Sequence, residues 1–515
     1  MTGGLHWIDG VIVAGYVAFV LGLGWYYSRR QSDTGDYFIG SRAMPPLLIG
    51  ISLFATLFST ITFLSTPGEL INKGPVVLTG ILSIPIAYFV VGYWLIPVYM
   101  QQRVTSAYEL LEMRLGLPAR MLGAMMFIVL RLFWMAMLIY LASKAVLEML
   151  ELPEHQLQYV AAATGAVAII YSSLGGLRAV VITDLFQFML LFGGAVLVIV
   201  LATVDIGGLS WFPTSWNPAW DTQPLFSVDP YVRVTVFGSI LHGVLWWVCT
   251  AGGDQTAIQR FMATRDARAA RRSFLVNSIA GAAVTVVLAL VGFSLLGFYQ
   301  EFPDQLPPGK TIAADADILF PRFISHQIPP GLSGLVLSGM FAAAMSSIDS
   351  GVNSITAVVM TDFIDRFRRE EVSEAHRLRI ARWLAFGIGV VVVLSSAHLD
   401  HVPGNFLEKT KRTIGLFVAP MFSLFFMAVF VRFATTWGAI FGAVSGFAAA
   451  AIVAYWNVIV DYVNQWTATS GQPFAAAETV SYQWIFPVSL AVSILCGCAA
   501  SGLNQRFPPR ERTVR

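Results

Sequence analysis

The chain has 515 residues, 56% of them hydrophobic and only 12% charged, and its mean hydropathy is +0.69. A soluble domain carries roughly 25% charged residues, so this composition belongs to a membrane protein. The net charge of +2 excludes the basic footprint of a nucleic-acid binder. No nucleophile elbow, phosphate loop, histidine metal pair or cysteine framework marks an enzyme or a disulfide scaffold.

Apolar spans fall at 6–28, 44–68, 75–100, 119–147, 157–174, 179–204, 232–257, 274–299, 332–360, 380–398, 413–431, 434–457 and 481–502. They predict an all-α integral membrane protein of about thirteen transmembrane helices. The first span has no preceding Lys or Arg and no small-residue cleavage site, so it reads as a retained helix, not a signal peptide.

With the N-terminus outside and the C-terminus in the cytoplasm, the inner ends collect Arg29, Arg30, Arg42, Arg103, Arg114, Arg120 and Arg178. The arginines at 260–272, 366–382 and 506–515 and Arg432 join them, while Lys73, Lys310, Arg322, Lys409, Lys411 and Arg412 stay outside. That is the positive-inside bias of a multi-pass protein of the plasma (inner) membrane. Loop 205–230, with Trp211, Trp216 and Trp220 suited to the membrane interface, and the proline-rich loop 301–330 read as outer caps, and 362–382 as a charged cytoplasmic connector.

The second and seventh spans carry signs of unwinding. Ser59, Thr60 and Thr62 precede Ser65, Thr66 and Pro67 in one, and Thr250-Ala-Gly-Gly-Asp-Gln255 lies in the other. Freed carbonyls at membrane depth must find a cation, a ligand or a hydroxyl. With 6–28 set aside, these spans open two five-helix halves, 44–204 and 232–431, with accessory helices at 434–502. Discontinuous helices in matched positions of two inverted repeats characterise secondary transporters.

The stretch 332–362 carries the third signal. On a helix, Ala343, Ser346, Ser347, Ser350 and Ser354 form one stripe, with Asp349 and Asn353 on its flank. A carboxylate at that depth costs at least about 2.5–3.5 kcal/mol and marks an ion or substrate path. Clustered hydroxyl and carboxylate oxygens suit a hard cation. The competing reading is serine packing between helices, with Asp349 paired to a hidden cation.

Five motifs recur in order: DYFIGSR at 36–42, TSAYE at 105–109 with Arg114, YSSLGGLRAVVITDLFQ at 171–187, Asp254-Gln255 with Gln259-Arg260, and the Ser346-Ser347 helix with Asn353-Ser354. In these the chain resembles the sodium/solute symporter family, which contains the sodium–glucose, iodide, proline, pantothenate and sialic-acid cotransporters. The resemblance implies a LeuT-type 5+5 inverted-repeat core with one extra N-terminal and two extra C-terminal helices, functional as a monomer.

It also implies a Na⁺ site made by the carbonyls of Ala55, Phe58 and Ala343 and the hydroxyls of Ser346 and Ser347. Asp184 matches an acidic residue that, with hydroxyls at the positions of Asp349 and Ser350, forms a second cation site in some members, and Ser346 would join it here; the competing reading pairs Asp184 with a nearby Arg or has it cap a helix start. Here Asp349 replaces a serine, which would strengthen cation binding or let a proton substitute. For the substrate, Ser59, Thr62, Trp247, Thr250 and Lys411 fall at contact positions, and Arg131 lies about one turn from a carboxylate-binding arginine of sialic-acid members.

These cations point to a small organic anion, a monocarboxylate or acidic sugar, ahead of a neutral sugar. Against that, Arg131 could pair with Glu408 and Lys411 could snorkel to the interface. Two rival classes are weaker. A channel is disfavoured by broken helices without a pore loop or charge ring, and a transporter-like sensor by the short stretch 505–515 after the last span.

Overall fold

The computed structural model describes residues 6–29, 34–42, 44–58, 60–102, 104–218, 220–306, 308–368, 373–397, 406–467 and 478–505. In chain order the helices are α1 (Trp7–Ser28), α2 (Thr34–Ile39), α3 (Pro46–Leu57), α4 (Thr60–Asn72), α5 (Ser83–Val90), α6 (Ile96–Gln101), α7 (Glu109–Leu115), α8 (Leu117–Met149), α9 (Leu157–Ile206) and α10 (Val236–Gly253). There follow α11 (Gln255–Met262), α12 (Ala267–Glu301), α13 (Ala316–His326), α14 (Leu332–Val358), α15 (Asp365–Phe367), α16 (Glu374–Ser396), α17 (Phe406–Phe430), α18 (Thr436–Ala454), α19 (Trp456–Thr467) and α20 (Ile485–Gln505). No strand occurs among the described residues.

Local chemistry sets several boundaries. The side chains of Thr235, Asp266, Ser373 and Thr435 cap α10, α12, α16 and α18 by accepting a backbone N–H of the first turn. Eleven helices among the described residues are long and apolar enough to cross a membrane, and twelve if the bent pair α3–α4 counts as one span. The expected crossing 157–174 is helical but runs into the next within α9, broken only at Gly176 (φ 60, ψ −177). A side chain there would be strained, so glycine is what lets the chain turn inside α9.

The loop expected as a proline-rich cap carries α13, packed on α4, where Asp317 closes over Gly68. Trp211 and Trp220, expected at an interface, instead turn inward and join the apolar core.

The chain divides into two compact units, 1–81 with 131–222 and 259–410, and 82–130 with 223–258 and 411–515. In the first, α9 packs against α1, α3, α12, α14 and α16, and α12 against α3 and α4. Its main core runs from Phe54, Phe58 and Phe63 through Leu288 and Phe320 to Met340 and Ala343. In the second, α18 packs along α20, and α10 lies against α5 and α20.

One contact within the first unit positions α14. That helix starts at Gly331 (φ 92) with no side-chain cap of its own. Asp9 of α1 supplies it: Oδ1 accepts from the amides of Gly331 (2.7 Å) and Gly334 (2.8 Å) and from Ser333 Oγ (2.7 Å), and Oδ2 accepts from His6 N (2.8 Å). A carboxylate on the orphan amides of a helix start satisfies them and opposes the positive end of the dipole. Asp9→Ala is expected to cost about 2–3 kcal/mol, read as a lower melting midpoint in detergent, with Asp9→Asn in between. An unchanged midpoint for the alanine variant would remove the capping role.

Candidate functional site

The first transmembrane helix of the core breaks where the sequence predicts. α3 ends at Leu57 with Phe58 extended (φ −92, ψ 106), α4 begins at Thr60, and the two segments are bent by 61°. The carbonyls that follow Phe54 in α3 thereby lose their helical donors. The Phe54 carbonyl takes the Phe58 amide (2.7 Å), and the Thr56 carbonyl takes Ser347 Oγ of α14 (3.0 Å). Ser347 thus stands at the broken end, on the carbonyl of Thr56, which lies between Ala55 and Phe58 in sequence, and Ala343 lies in the same apolar cluster as Phe54 and Phe58. Ala55, Phe58, Ala343, Ser346 and Ser347 are all buried within the first unit. Their oxygens are carbonyls and hydroxyls, a donor set that fits a weakly held monovalent cation.

Beside them lies a charged network that sequence reasoning only half anticipated. Asp184 of α9 accepts from Ser346 Oγ through Oδ1 (2.5 Å) and from Ser52 Oγ through Oδ2 (2.5 Å). Arg260 of α11 donates from Nε to Ser52 Oγ (3.0 Å) and from Nη2 to Ser350 Oγ (2.5 Å), with Nη2 3.8 Å from Asp184 Oδ2. Ser350 Oγ is also 2.8 Å from Thr56 Oγ1. Asp184 and Arg260 are both fully buried. The expected second-site residues Asp184, Ser346 and Ser350 therefore meet, with a guanidinium among them.

Asp349, the fourth, is also buried and lies within electrostatic range of Tyr16 of α1 and Tyr171 of α9. Those hydroxyls engage Gln187 Nε2 (3.3 Å) and Thr183 Oγ1 (2.6 Å) respectively. Ser52, Thr56 and Tyr16 carried no motif signal, and of the two tyrosines only Tyr171 did, as the first residue of the 171–187 motif. Arg260 did, as a member of the 254–260 motif, but nothing in its spacing named its partner.

The motifs meet in space. Gln259 Nε2 donates to the Phe38 carbonyl (2.5 Å), and Ser354 Oγ donates to Gln259 Oε1 (2.7 Å), which joins stretches from three motifs. In the second unit, α10 ends at Gly253 with Asp254 extended (φ −91, ψ 120). There protein groups take the freed carbonyls: Tyr99 Oη donates to Gly252 O, and Tyr108 Oη to Gly253 O (3.2 Å). Gln255 holds the Thr105 carbonyl (2.8 Å) and the Ala107 amide (2.7 Å). The break in α10 is closed by protein, whereas the break in α3 is lined by hydroxyls and carbonyls.

The substrate candidates fall in both units. Thr62 on α4 and Arg131 on α8 belong to the first, with Arg131 buried. Trp247 and Thr250 on α10 and Lys411 on α17 belong to the second. Ser59 lies outside the described residues, as does the side chain of Glu408.

Two broken membrane helices, one opening onto hydroxyls beside a buried carboxylate, define a secondary transporter with a LeuT-type core. The chain belongs to the sodium:solute symporter family, whose model matches residues 37–446. It is 28% identical over 453 residues to a sodium/sialic acid symporter of Proteus mirabilis, covering 84% of this chain and 87% of that one. It is 29% identical over 452 residues to the human sodium-coupled monocarboxylate transporter 1, covering 85% and 72%. A solved structure of a Na⁺-coupled sialic acid symporter, described as revealing a novel Na⁺ site, superposes with a TM-score of 0.78 at 25% identity over 98% and 99% of the two chains. A nucleobase-cation-symport-1 family transporter shares the fold (TM-score 0.57, 12% identity, 92% and 96% covered). The chain is a carrier of solutes, not an enzyme.

The buried pair yields a stability test. Arg260→Gln strands a charged Asp184 and is expected to cost about 3–5 kcal/mol in detergent unfolding, whereas adding Asp184→Asn recovers much of that loss. Additive losses would show that the two charges do not interact.

Proposed function

We propose that this protein is a sodium-coupled symporter that imports a small organic anion, a monocarboxylate or acidic sugar, by alternating access. The observation that carries the sodium half is the broken end of α3, where Ser347 of α14 reaches the Thr56 carbonyl beside Ser346 and Asp184. A Na⁺ at this place would be held by the carbonyls of Ala55, Phe58 and Ala343 and the hydroxyls of Ser346 and Ser347. These oxygens would replace its hydration without the several carboxylates that Ca²⁺ wants. Inward movement of one such charge down about 100 mV carries roughly 2.3 kcal/mol, available to concentrate a solute.

A second cation per cycle belongs to the same proposal, with Asp184, Ser346, Asp349 and Ser350 as its ligands. Arg260 already offsets the charge of Asp184, so the added attraction comes from Asp349. The five-helix halves 44–204 and 232–431, the flanking helices 6–28 and 434–502, insertion in the plasma (inner) membrane with N-terminus out and C-terminus in, and function as a monomer complete the reading. Support for the anion comes from the two relatives named for sialic acid and monocarboxylates, together with the cations Arg131 and Lys411. Thr62, Trp247, Thr250 and Ser59 are the other proposed contacts.

In proteoliposomes with inward sodium gradients, solute should accumulate above equilibrium, and Ser347→Ala should raise the sodium half-saturation by about tenfold, as loss of one ligand oxygen does. Flux against sodium should show a Hill coefficient above one that falls on Asp349→Ala; an unchanged coefficient dismisses the second cation. Competition by pyruvate or N-acetylneuraminate should exceed that of the methyl esters, and equal competition dismisses the anion.

A further inference from the structure

The second unit contains a group of polar side chains of which the sequence singles out only Thr250 and Lys411. His242, Trp246 and Thr250 recur every four residues on α10 and so share one face of that helix. His242 and Thr250 are nine-tenths or more buried. Neither ring nitrogen of His242 meets a side chain in hydrogen-bond geometry, and the one backbone neighbour of the ring is Gln483. The Thr250 hydroxyl has no partner either. His242 is walled by Tyr482 and Phe486, whose rings lie 5.7 and 5.1 Å from it edge-on.

Facing this stripe is Lys411 of α17, its Nζ 5.2 Å from the centroid of the Trp246 ring and within electrostatic range of His242. Lys411 makes no hydrogen bond or ion pair among the described residues. Its neighbour Arg412, by contrast, is committed to the Ala454 carbonyl (3.1 Å). A tryptophan face offers an ammonium only part of what water does, and a cation within a membrane span calls for an anion.

We propose that Lys411 anchors the carboxylate of the transported solute, with Trp246 as an apolar wall and His242 and Thr250 as polar contacts on either side. This rests on the anion reading above and deepens it. The anchor is Lys411 rather than Arg131, and Trp246, about 100° round the helix from Trp247, is the ring beside its ammonium. Successive members of the stripe are about 6 Å apart along the axis. The fitting solute is therefore a small carboxylate with a hydroxyl or carbonyl group within a few bonds of the acid. A neutral sugar would leave the ammonium without a counter-charge.

Purified protein in sodium is to be melted with lactate, N-acetylneuraminate and benzoate, each against its methyl ester. At least one acid should stabilise the wild type and its ester should not. Lys411→Gln should weaken that acid by about tenfold or more, the worth of a charge-assisted contact, and Lys411→Arg should restore it to within about threefold. The sodium-induced shift should persist in both variants, which shows that they are folded. If Lys411→Gln binds the acid unchanged while Arg131→Gln does not, the anchor is wrong and anion transport stands. If neutral sugars stabilise the wild type and the acids do not, the anion reading itself fails. If neither stabilises it, the subsite is overturned.

Discussion

A hydrocarbon bilayer offers no water to an interrupted helix, and the carbonyls at the end of α3 are where this protein meets that constraint. Stopping a helix at membrane depth exposes acceptors that cost several kcal/mol each if left alone. Here Ser347 of α14 answers the Thr56 carbonyl, and Ser346 and Ser350 of the same helix enter the network around Asp184 and Arg260. A lining of carbonyls and hydroxyls satisfies a dehydrated monovalent ion while holding it loosely, which a carrier that must release its ion requires. The broken end of α10 is treated differently. The hydroxyls of Tyr99 and Tyr108 take the carbonyls of Gly252 and Gly253, so these stay satisfied without an ion.

Charge balance around the first break follows from Arg260. A bare Asp184 would attract a cation strongly and release it slowly; a guanidinium 3.8 Å away, shared with Ser52 and Ser350, lowers that attraction. Asp349 then restores a negative charge near the hydroxyls of Tyr16 and Tyr171. The sensitivity of such a cluster to one substitution is high because low-dielectric surroundings magnify every unit charge.

α1, which lies outside the paired halves expected from the sequence, takes part in both features. Asp9 closes the start of α14, and Tyr16 faces the polar cluster about two turns farther along the same helix. An accessory helix thereby fixes the register of the helix that carries the serine stripe.

Much of this was legible in the residues. The all-α membrane class followed from hydropathy, and the break near Phe58 followed from a run of hydroxyl residues. The polar face of α14 followed from helical spacing, because each of these depends on neighbours within a turn or two of chain. The partnership of Arg260 with Asp184, the capping of α14 by Asp9 and the stripe facing Lys411 depend on residues far apart in sequence. Only packing brings them within hydrogen-bond or electrostatic reach. Trp211 and Trp220, expected at an interface, turned inward for the same reason: a tryptophan's composition-level preference yields to whichever apolar wall the fold sets beside it. The sequence alone therefore determined which helices break and which carry oxygen. Tertiary structure decided which charges those oxygens meet, since Coulomb energy depends on distance in space and the chain order does not encode it.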